Sequence, residues 1–156
     1  MSPMRRLTGP AVALVLFLGA CSSRSEMPDV RLPMLSGKLG VNLASCAAAK
    51  CLTVYVAPWC GYCRQATPQI LRLRDFLKER GILTRVVVGK DRREALIDNA
   101  RDFGPETLID VEDSFDVRGV PHFFVSDGSG RVLKEVAGVP TGVDDIGRFA
   151  AYFGLP

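Results

Sequence analysis

Two cysteines separated by two residues, Cys60 and Cys63, most constrain what this chain can fold into. The apolar segment before them, Leu52–Ala57 (LTVYVA), has the composition of a buried central strand. After them, from Cys60 to Arg80, apolar residues recur at helical spacing until Gly81 ends the run. The pair therefore stands where a strand leads into a helix. Two such thiols can be a redox pair, metal ligands or a structural disulfide.

The first twenty residues indicate the compartment. Arg5 and Arg6 precede an apolar run, Ala11–Ala20, that ends in small residues. This pattern is typical of a secretory signal peptide, and the run is too short for a comfortable membrane span. We therefore interpret residues 1–20 as a signal peptide.

Residues 18–21 (LGAC) resemble a bacterial lipobox. That resemblance implies cleavage before Cys21 and lipidation of this cysteine, so that the protein contacts the membrane through its lipid anchor only. Because Ser22 and Ser23 follow, it also implies a periplasmic lipoprotein sorted to the outer rather than the inner membrane. The alternative is an ordinary signal peptide followed by an unpaired cysteine, although a free thiol is a liability in an oxidising compartment.

The remaining chain has the composition of one exported globular domain. Without the signal peptide about 136 residues remain, enough for a real core. The formal net charge of the whole chain is only +3, and basic residues alternate with acidic ones, as in Lys78-Glu79-Arg80. This pattern favours solvated helix faces, and we predict no nucleic-acid partner. Residues 21–40 are rich in Ser, Pro and Gly, which predicts a flexible tether before a domain at 41–156.

Strand and helix signals alternate along that domain. Beyond the first strand and helix, we predict a strand at Ile82–Val88, a helix at Asp91–Phe103, a short strand at Thr107–Asp110, hairpin strands at His122–Ser126 and Arg131–Val136, and a helix at Val143–Phe153. This order predicts an α/β fold with a central mixed β-sheet flanked by helices, parallel in its first half and antiparallel in its last strands.

That order, with Cys-x-x-Cys at the first strand–helix junction, resembles the thioredoxin fold. Four features carry the resemblance: Trp59-Cys60-Gly61-Tyr62-Cys63 (the W-C-x-x-C site), Pro68 (the helix-kinking proline), Gly119-Val120-Pro121 (the cis-proline loop) and Asp127-Gly128 with Arg131-Val132 (the D-x-x-G-x-V hairpin). The match runs from Leu52 to the end of the chain. The insertion before the cis-proline loop resembles the membrane-anchored TlpA-type branch, whereas Gly61-Tyr62 resembles the periplasmic disulfide isomerases.

The position of the two cysteines assigns their chemistry. A cysteine at a helix amino terminus lies near unpaired N–H groups that favour its thiolate, so Cys60 is the expected nucleophile. Cys63, one helical turn later, is the expected resolving thiol. The family implies that Pro121 has a cis peptide bond and that the backbone of Val120 pairs with an extended substrate.

Aromatic and small residues complete the predicted substrate site. The residues assigned to it are Trp59, Gly61, Tyr62, Val120 and Pro121. Ordinary packing at a strand end is the alternative for Trp59 and for Pro58.

The chain departs from the thioredoxin pattern at one position. Thioredoxins place a buried aspartate six residues before the first active-site cysteine, where it accepts a proton as the resolving thiol is activated. This chain has Val54 there, and no glutamate follows Cys63 closely. The departure weakens a prediction of a fast reductase.

Cys46 and Cys51 form a second pair. We predict a structural disulfide, with a second redox pair as the alternative. A zinc site with Cys60 and Cys63 would need all four sulfurs to converge, and a strand spanning on the order of 20 to 30 Å between the pairs opposes this. We predict no metal.

His122 is the single histidine of the chain. A histidine beside Cys-x-x-x-Cys would suggest copper delivery, but the spacer between Cys60 and Cys63 is two residues. We predict a half-exposed strand residue whose charge tunes substrate preference.

These features predict a periplasmic, lipid-anchored thiol-disulfide oxidoreductase, a reductase or isomerase, whose redox centre is the Cys60–Cys63 disulfide without a further cofactor. Its expected partners are exported cysteine-containing proteins and a membrane thiol-disulfide redox protein, and we expect a monomer. The alternative is a non-catalytic binding or assembly lipoprotein with the same fold.

Overall fold

The computed structural model describes residues 25–156. Along the chain it contains β1 (Lys50–Val56), α1 (Gly61–Lys78), β2 (Leu83–Gly89), α2 (Arg93–Ala100), β3 (Leu108–Asp110), β4 (His122–Asp127), β5 (Val132–Ala137) and α3 (Ile146–Tyr152). Every predicted strand and helix is present, with small shifts of the ends.

Two helices are shorter than predicted, for local reasons. After α2 the Phe103 N–H donates to Ala100 O three residues back, at 3.1 Å, so the chain tightens out of α-helical geometry before Gly104. At the start of α3, the Asp145 side chain accepts a hydrogen bond from the Arg148 N–H at 3.0 Å. This N-cap fixes the start of α3.

The strands form one mixed sheet in the order β3-β2-β1-β4-β5. β1 pairs in parallel with β2 and antiparallel with β4, so β1 is the central strand. β3 extends the parallel side and β5 the antiparallel side. The predicted α/β architecture, with a mixed sheet and flanking helices, is confirmed.

Side chains of β1 alternate between two hydrophobic clusters because successive residues of a strand point to opposite faces. Val54 and Val56 belong to the first cluster, which also contains every buried residue of α1, α2 and α3. Tyr55 belongs to the second cluster, on the opposite face. The three helices therefore leave that second face to be covered by other parts of the chain.

The segment predicted as a tether covers part of the second face, and the structure corrects that prediction for residues 25–40. Met27 and Leu32 are buried in the second cluster. The backbone N–H of Met27 donates to Gly130 O at 2.8 Å, and that of Leu35 donates to Thr107 O at 2.8 Å. Burial of apolar side chains against an otherwise open sheet face explains why this Pro- and Ser-rich segment packs.

The predicted signal peptide and the predicted lipidation residue, Cys21, lie outside the described residues. Within residues 25–156, none of the helices has the length and apolarity needed to cross a bilayer.

Candidate active site

Cys60 and Cys63 lie where β1 leads into α1. Cys60 is the N-cap of α1, and its Sγ accepts a hydrogen bond from the Cys63 N–H at 3.0 Å. The two cysteines form a disulfide with a Cα–Cα distance of 5.2 Å. Both are buried, with 5% of Cys60 and 2% of Cys63 exposed. The helix amino terminus thus places an N–H donor on the Cys60 sulfur, as the sequence predicts.

The loop before β4 approaches the same sulfur. The carbonyl oxygen of Val120 lies 3.4 Å from Cys60 Sγ. The Val120–Pro121 peptide bond is cis, in agreement with the prediction. On the other side of this bond, the Gly138 N–H donates to Pro121 O at 2.7 Å. The fold therefore brings Val120 to the two cysteines, although it lies 60 residues after Cys60 in the chain.

Two exposed aromatic residues flank the buried disulfide. Trp59 is 59% exposed and Tyr62 is 75% exposed. Gly61 between them is open, because a Cβ atom there would meet only the Arg64 side chain, at 3.9 Å. Core packing therefore does not explain Trp59 or Tyr62. Together they offer apolar surface beside the sulfurs.

A polar network behind Trp59 was not predicted from the sequence. The Trp59 indole N–H donates to Lys90 O at 2.9 Å, and Lys90 Nζ pairs with Asp113 Oδ2 at 2.7 Å. The buried Tyr55 hydroxyl donates to Asp110 Oδ2 at 3.1 Å and lies 3.4 Å from Asp113 Oδ1. Burial, together with these two carboxylates, raises the pKa of Tyr55 well above its ordinary value.

Strain and close approach accompany this network. Lys90 and Asp113 both have a positive φ, 62° and 52°, in the backbone region that residues other than glycine rarely adopt. Gly89 approaches Tyr55 so closely that a Cβ atom there would overlap the phenol hydroxyl. A tyrosine in β1, and acidic residues at the end of β3 and just after it, were the only sequence signals for this arrangement.

His122 is buried, contrary to the prediction of a half-exposed residue: only 7% of it is exposed. Its Nδ1 lies 3.1 Å from Gly119 O and its Nε2 lies 2.9 Å from Glu135 Oε1. The ring also stacks on Phe124, with centroids 4.5 Å apart. These partners satisfy a ring that would otherwise be costly to bury.

A model of the thioredoxin-like domain family matches residues 41–146. The chain belongs to the thioredoxin-like family. Comparison with curated proteins gives no match.

Solved structures share the fold of this thioredoxin-like chain. A thiol:disulfide interchange protein of the thioredoxin family from Chlorobium tepidum TLS has 19% identity and a TM-score of 0.63, covering 85% of this chain and 98% of its own. A secreted Mycobacterium tuberculosis disulfide oxidoreductase homologous to E. coli DsbE has 14% identity and a TM-score of 0.60, covering 81% and 95%. The thioredoxin domain of a Bacteroides vulgatus thiol-disulfide oxidoreductase has 18% identity and a TM-score of 0.61, covering 85% and 99%.

The second cysteine pair of this thioredoxin-like domain lies at the other end of β1. Cys46 and Cys51 form a disulfide with a Cα–Cα distance of 5.9 Å, and Cys51 is the second residue of the strand. Cys60 lies just beyond Val56, the last residue of the same strand, so the two pairs lie at opposite ends of β1. The four sulfurs therefore do not converge on one centre.

A buried arginine lies beside this second pair. Arg85 Nη1 donates to Ser45 O at 2.9 Å, and its Nε donates to Thr53 Oγ1 at 3.1 Å. Burial lowers the pKa of Arg85 to about 10. The guanidinium ties the backbone next to Cys46 to the sheet.

Proposed function

We propose that this protein is a thiol-disulfide oxidoreductase that reacts through Cys60. One observation carries the proposal: Cys60 Sγ is the N-cap of α1, accepts the Cys63 N–H at 3.0 Å, and lies 3.4 Å from Val120 O in the loop before Pro121. A sulfur so placed has a donor that stabilises its thiolate, and a neighbouring backbone segment on which a substrate can align.

The exchange reaction follows from this arrangement. The Cys60 thiolate attacks one sulfur of a substrate disulfide, a mixed disulfide forms, and the other substrate sulfur leaves as a thiolate. Cys63 then loses its proton and attacks the Cys60 sulfur, which expels the second substrate thiolate. The substrate gains two electrons and two protons, and Cys60 and Cys63 become a disulfide. Oxidation of a substrate dithiol is the same sequence in reverse.

The surroundings of the sulfur favour an extended polypeptide as the substrate. Trp59 and Tyr62 supply exposed apolar surface, and Gly61 leaves room for a chain to approach. The Val120 backbone supplies the polar partner of a strand-like segment. Exported proteins that contain cysteines fit this site.

The predicted compartment belongs to the proposal. We infer that Cys21 is lipidated and that the protein works in the periplasm, favouring the outer membrane. It has no cofactor beyond its own disulfide, is a monomer, and is recycled by a membrane thiol-disulfide protein. The similar Mycobacterium tuberculosis protein is a secreted disulfide oxidoreductase, which supports an exported role for this chain. The Cys46–Cys51 disulfide is proposed as structural.

Trapping tests the proposal. Purified Cys63→Ser protein, mixed with a peptide that contains a disulfide, should accumulate a mixed disulfide on Cys60 that mass spectrometry detects and dithiothreitol releases. The double variant Cys60→Ser/Cys63→Ser is the control and should trap nothing. No adduct on the single variant would refute the oxidoreductase and favour the non-catalytic binding protein.

A further inference from the structure

The ring of His122 is held on three sides, directly after the cis bond that precedes β4. Its Nδ1 faces Gly119 O at 3.1 Å, its Nε2 faces Glu135 Oε1 at 2.9 Å, and its face stacks on Phe124 with an interplanar angle of 18°. Gly119 immediately precedes Val120, whose carbonyl lies beside Cys60 Sγ. His122 therefore contacts the loop one residue from the group that approaches the sulfur.

The two partners of the ring determine where its protons lie. A carbonyl oxygen only accepts hydrogen bonds, so Nδ1 must carry a hydrogen and donate it to Gly119 O. A neutral ring would then direct the lone pair of Nε2 at the carboxylate of Glu135, and two acceptors would face each other at 2.9 Å. A hydrogen between Nε2 and Oε1, carried by either group, satisfies both atoms.

Other titratable groups near the ring are engaged elsewhere. Tyr55 is opposite His122 in the β1–β4 register, but its hydroxyl donates to Asp110. Asp113, which also faces that hydroxyl, pairs with a lysine. Glu135, on β5, is the acidic residue hydrogen-bonded to the ring.

We propose that His122, oriented by Glu135, is a positioning residue for disulfide exchange: its Nδ1–H holds Gly119 O and so fixes the Val120 carbonyl beside Cys60. This inference rests on the proposed function. It assigns a role to the Glu135 carboxylate, which is too far along the chain from the cysteines to be suspected from motif spacing.

The positioning role predicts that the reaction rates with two kinds of reagent respond differently to loss of the His122 contact. A peptide disulfide must align on the Val120 backbone before its sulfur reaches Cys60, so its reaction depends on the loop. Iodoacetamide is small and needs only an accessible thiolate. Loss of the His122 contact should therefore slow the peptide reaction far more than alkylation, because misplacing an aligning group by a fraction of an ångström costs rate.

Nitrogen NMR tests which nitrogen of the His122 ring carries a hydrogen, without measuring any activity. His122 is the single histidine of the chain, so the long-range ¹H–¹⁵N spectrum of the oxidised protein contains one imidazole pattern. We expect a protonated Nδ1 at pH 7. In Glu135→Gln, the amide N–H replaces the shared proton, and the ring should be neutral with hydrogen on Nδ1. A neutral ring with hydrogen on Nε2 alone, in either protein, would overturn the assignment.

Rates in the Cys63→Ser background test the positioning role. His122→Phe keeps the stacked ring but loses both hydrogen bonds, and Glu135→Leu loses the orienting carboxylate. Each should slow mixed-disulfide formation with the peptide by roughly tenfold while alkylation changes less than about twofold. His122→Asn places an amide near the position of Nδ1, and Glu135→Gln keeps a hydrogen-bonding partner; each should restore most of the lost rate.

Each failure has its own signature. The positioning role would be overturned if His122→Phe and Glu135→Leu formed the mixed disulfide as fast as the Cys63→Ser parent. It would also be overturned if the peptide reaction and the alkylation slowed by the same factor. If His122→Phe does not fold, the Glu135 pair of variants decides, because that side chain is only partly buried, at 23% exposed. Failure of the proposed function would appear instead as a parent protein that forms no mixed disulfide, and the NMR result would then decide the ring assignment alone.

Discussion

Replacing Tyr55 with phenylalanine should destabilise the domain through a single buried hydroxyl. Tyr55 and Asp110 are fully buried, and the hydroxyl donates to Asp110 Oδ2 at 3.1 Å. The other oxygen of that carboxylate accepts from Ser114 N at 3.0 Å. Tyr55→Phe keeps the ring, and therefore its packing against Phe115, but leaves Oδ2 without the tyrosine donor.

The size of the effect follows from desolvation. A buried acceptor left unpaired costs about 1–3 kcal/mol, and more when it is charged, so we expect a loss of about 2–3 kcal/mol in the free energy of unfolding. For a domain of this size, that loss lowers the midpoint of thermal unfolding by roughly 6–12 °C.

Denaturant unfolding followed by circular dichroism measures this loss. Tyr152→Phe is a matched control, because this tyrosine is 41% exposed and the substitution should change stability by less than about 0.5 kcal/mol. A loss below about 0.5 kcal/mol in Tyr55→Phe at pH 7 would refute the assignment of the hydrogen bond to stability.

The pH dependence provides a second check with a defined sign. The folded pKa of Tyr55 lies above its unfolded value, which is about 10. The stabilisation from its protonated hydroxyl is therefore fully present below pH 10 and is lost progressively as the pH rises above that value. The difference between wild type and Tyr55→Phe should shrink above pH 10, and a difference that grows would contradict the reasoning.

Two further substitutions test the packing around the site and the second disulfide. Gly89→Ala should displace the Tyr55 hydroxyl from Asp110, because the new Cβ would overlap it, and thermal unfolding should show a loss at least as large as that of Tyr55→Phe. Replacing Cys46 and Cys51 together with serine should lower the free energy of unfolding by about 2 kcal/mol, the loop entropy expected for so short a ring. In the Cys63→Ser background, the trapping reaction should proceed at the same rate with and without this double substitution, and a slower reaction would show that the second pair takes part in exchange.

Local patterns predicted the elements and the central part of the site. The apolar run before Cys60 and the helical spacing after it gave β1 and α1, because burial of a central strand and of a helix stripe is encoded within a few residues. The meeting of Cys60 with Val120 came from the family resemblance, since no local pattern relates residues so far apart.

The remaining features depend on partners that the sequence does not connect. Tyr55 hydrogen-bonds to Asp110, which lies 55 residues later in the chain. His122 contacts Glu135 because the β4–β5 hairpin places Glu135 opposite Phe124. Residues 25–40 lack a periodic pattern, so Met27 and Leu32 gave no sign that they cover the sheet. All of these contacts lie on the face of the sheet that the three helices do not cover.

The distribution of buried ionisable groups makes the two active-site thiols unequal. Among residues 25–156 the buried ionisable side chains other than cysteine are Tyr55, Arg85, Asp110 and His122. Tyr55 belongs to the cluster on the sheet face away from α1, and the contacts of Arg85 with Thr53, of Asp110 with Tyr55 and of His122 with Phe124 place the other three on the same face.

Cys63 instead belongs to the apolar cluster with Val54 and Val56. Cys60 has a helix N–H on its sulfur, so its thiolate is stabilised directly. Asp110, the buried carboxylate of the described residues, contacts Tyr55 on the opposite face of the sheet and is therefore not placed to take the proton of Cys63. For the proposed reaction we therefore expect attack by Cys60 to be faster than resolution by Cys63.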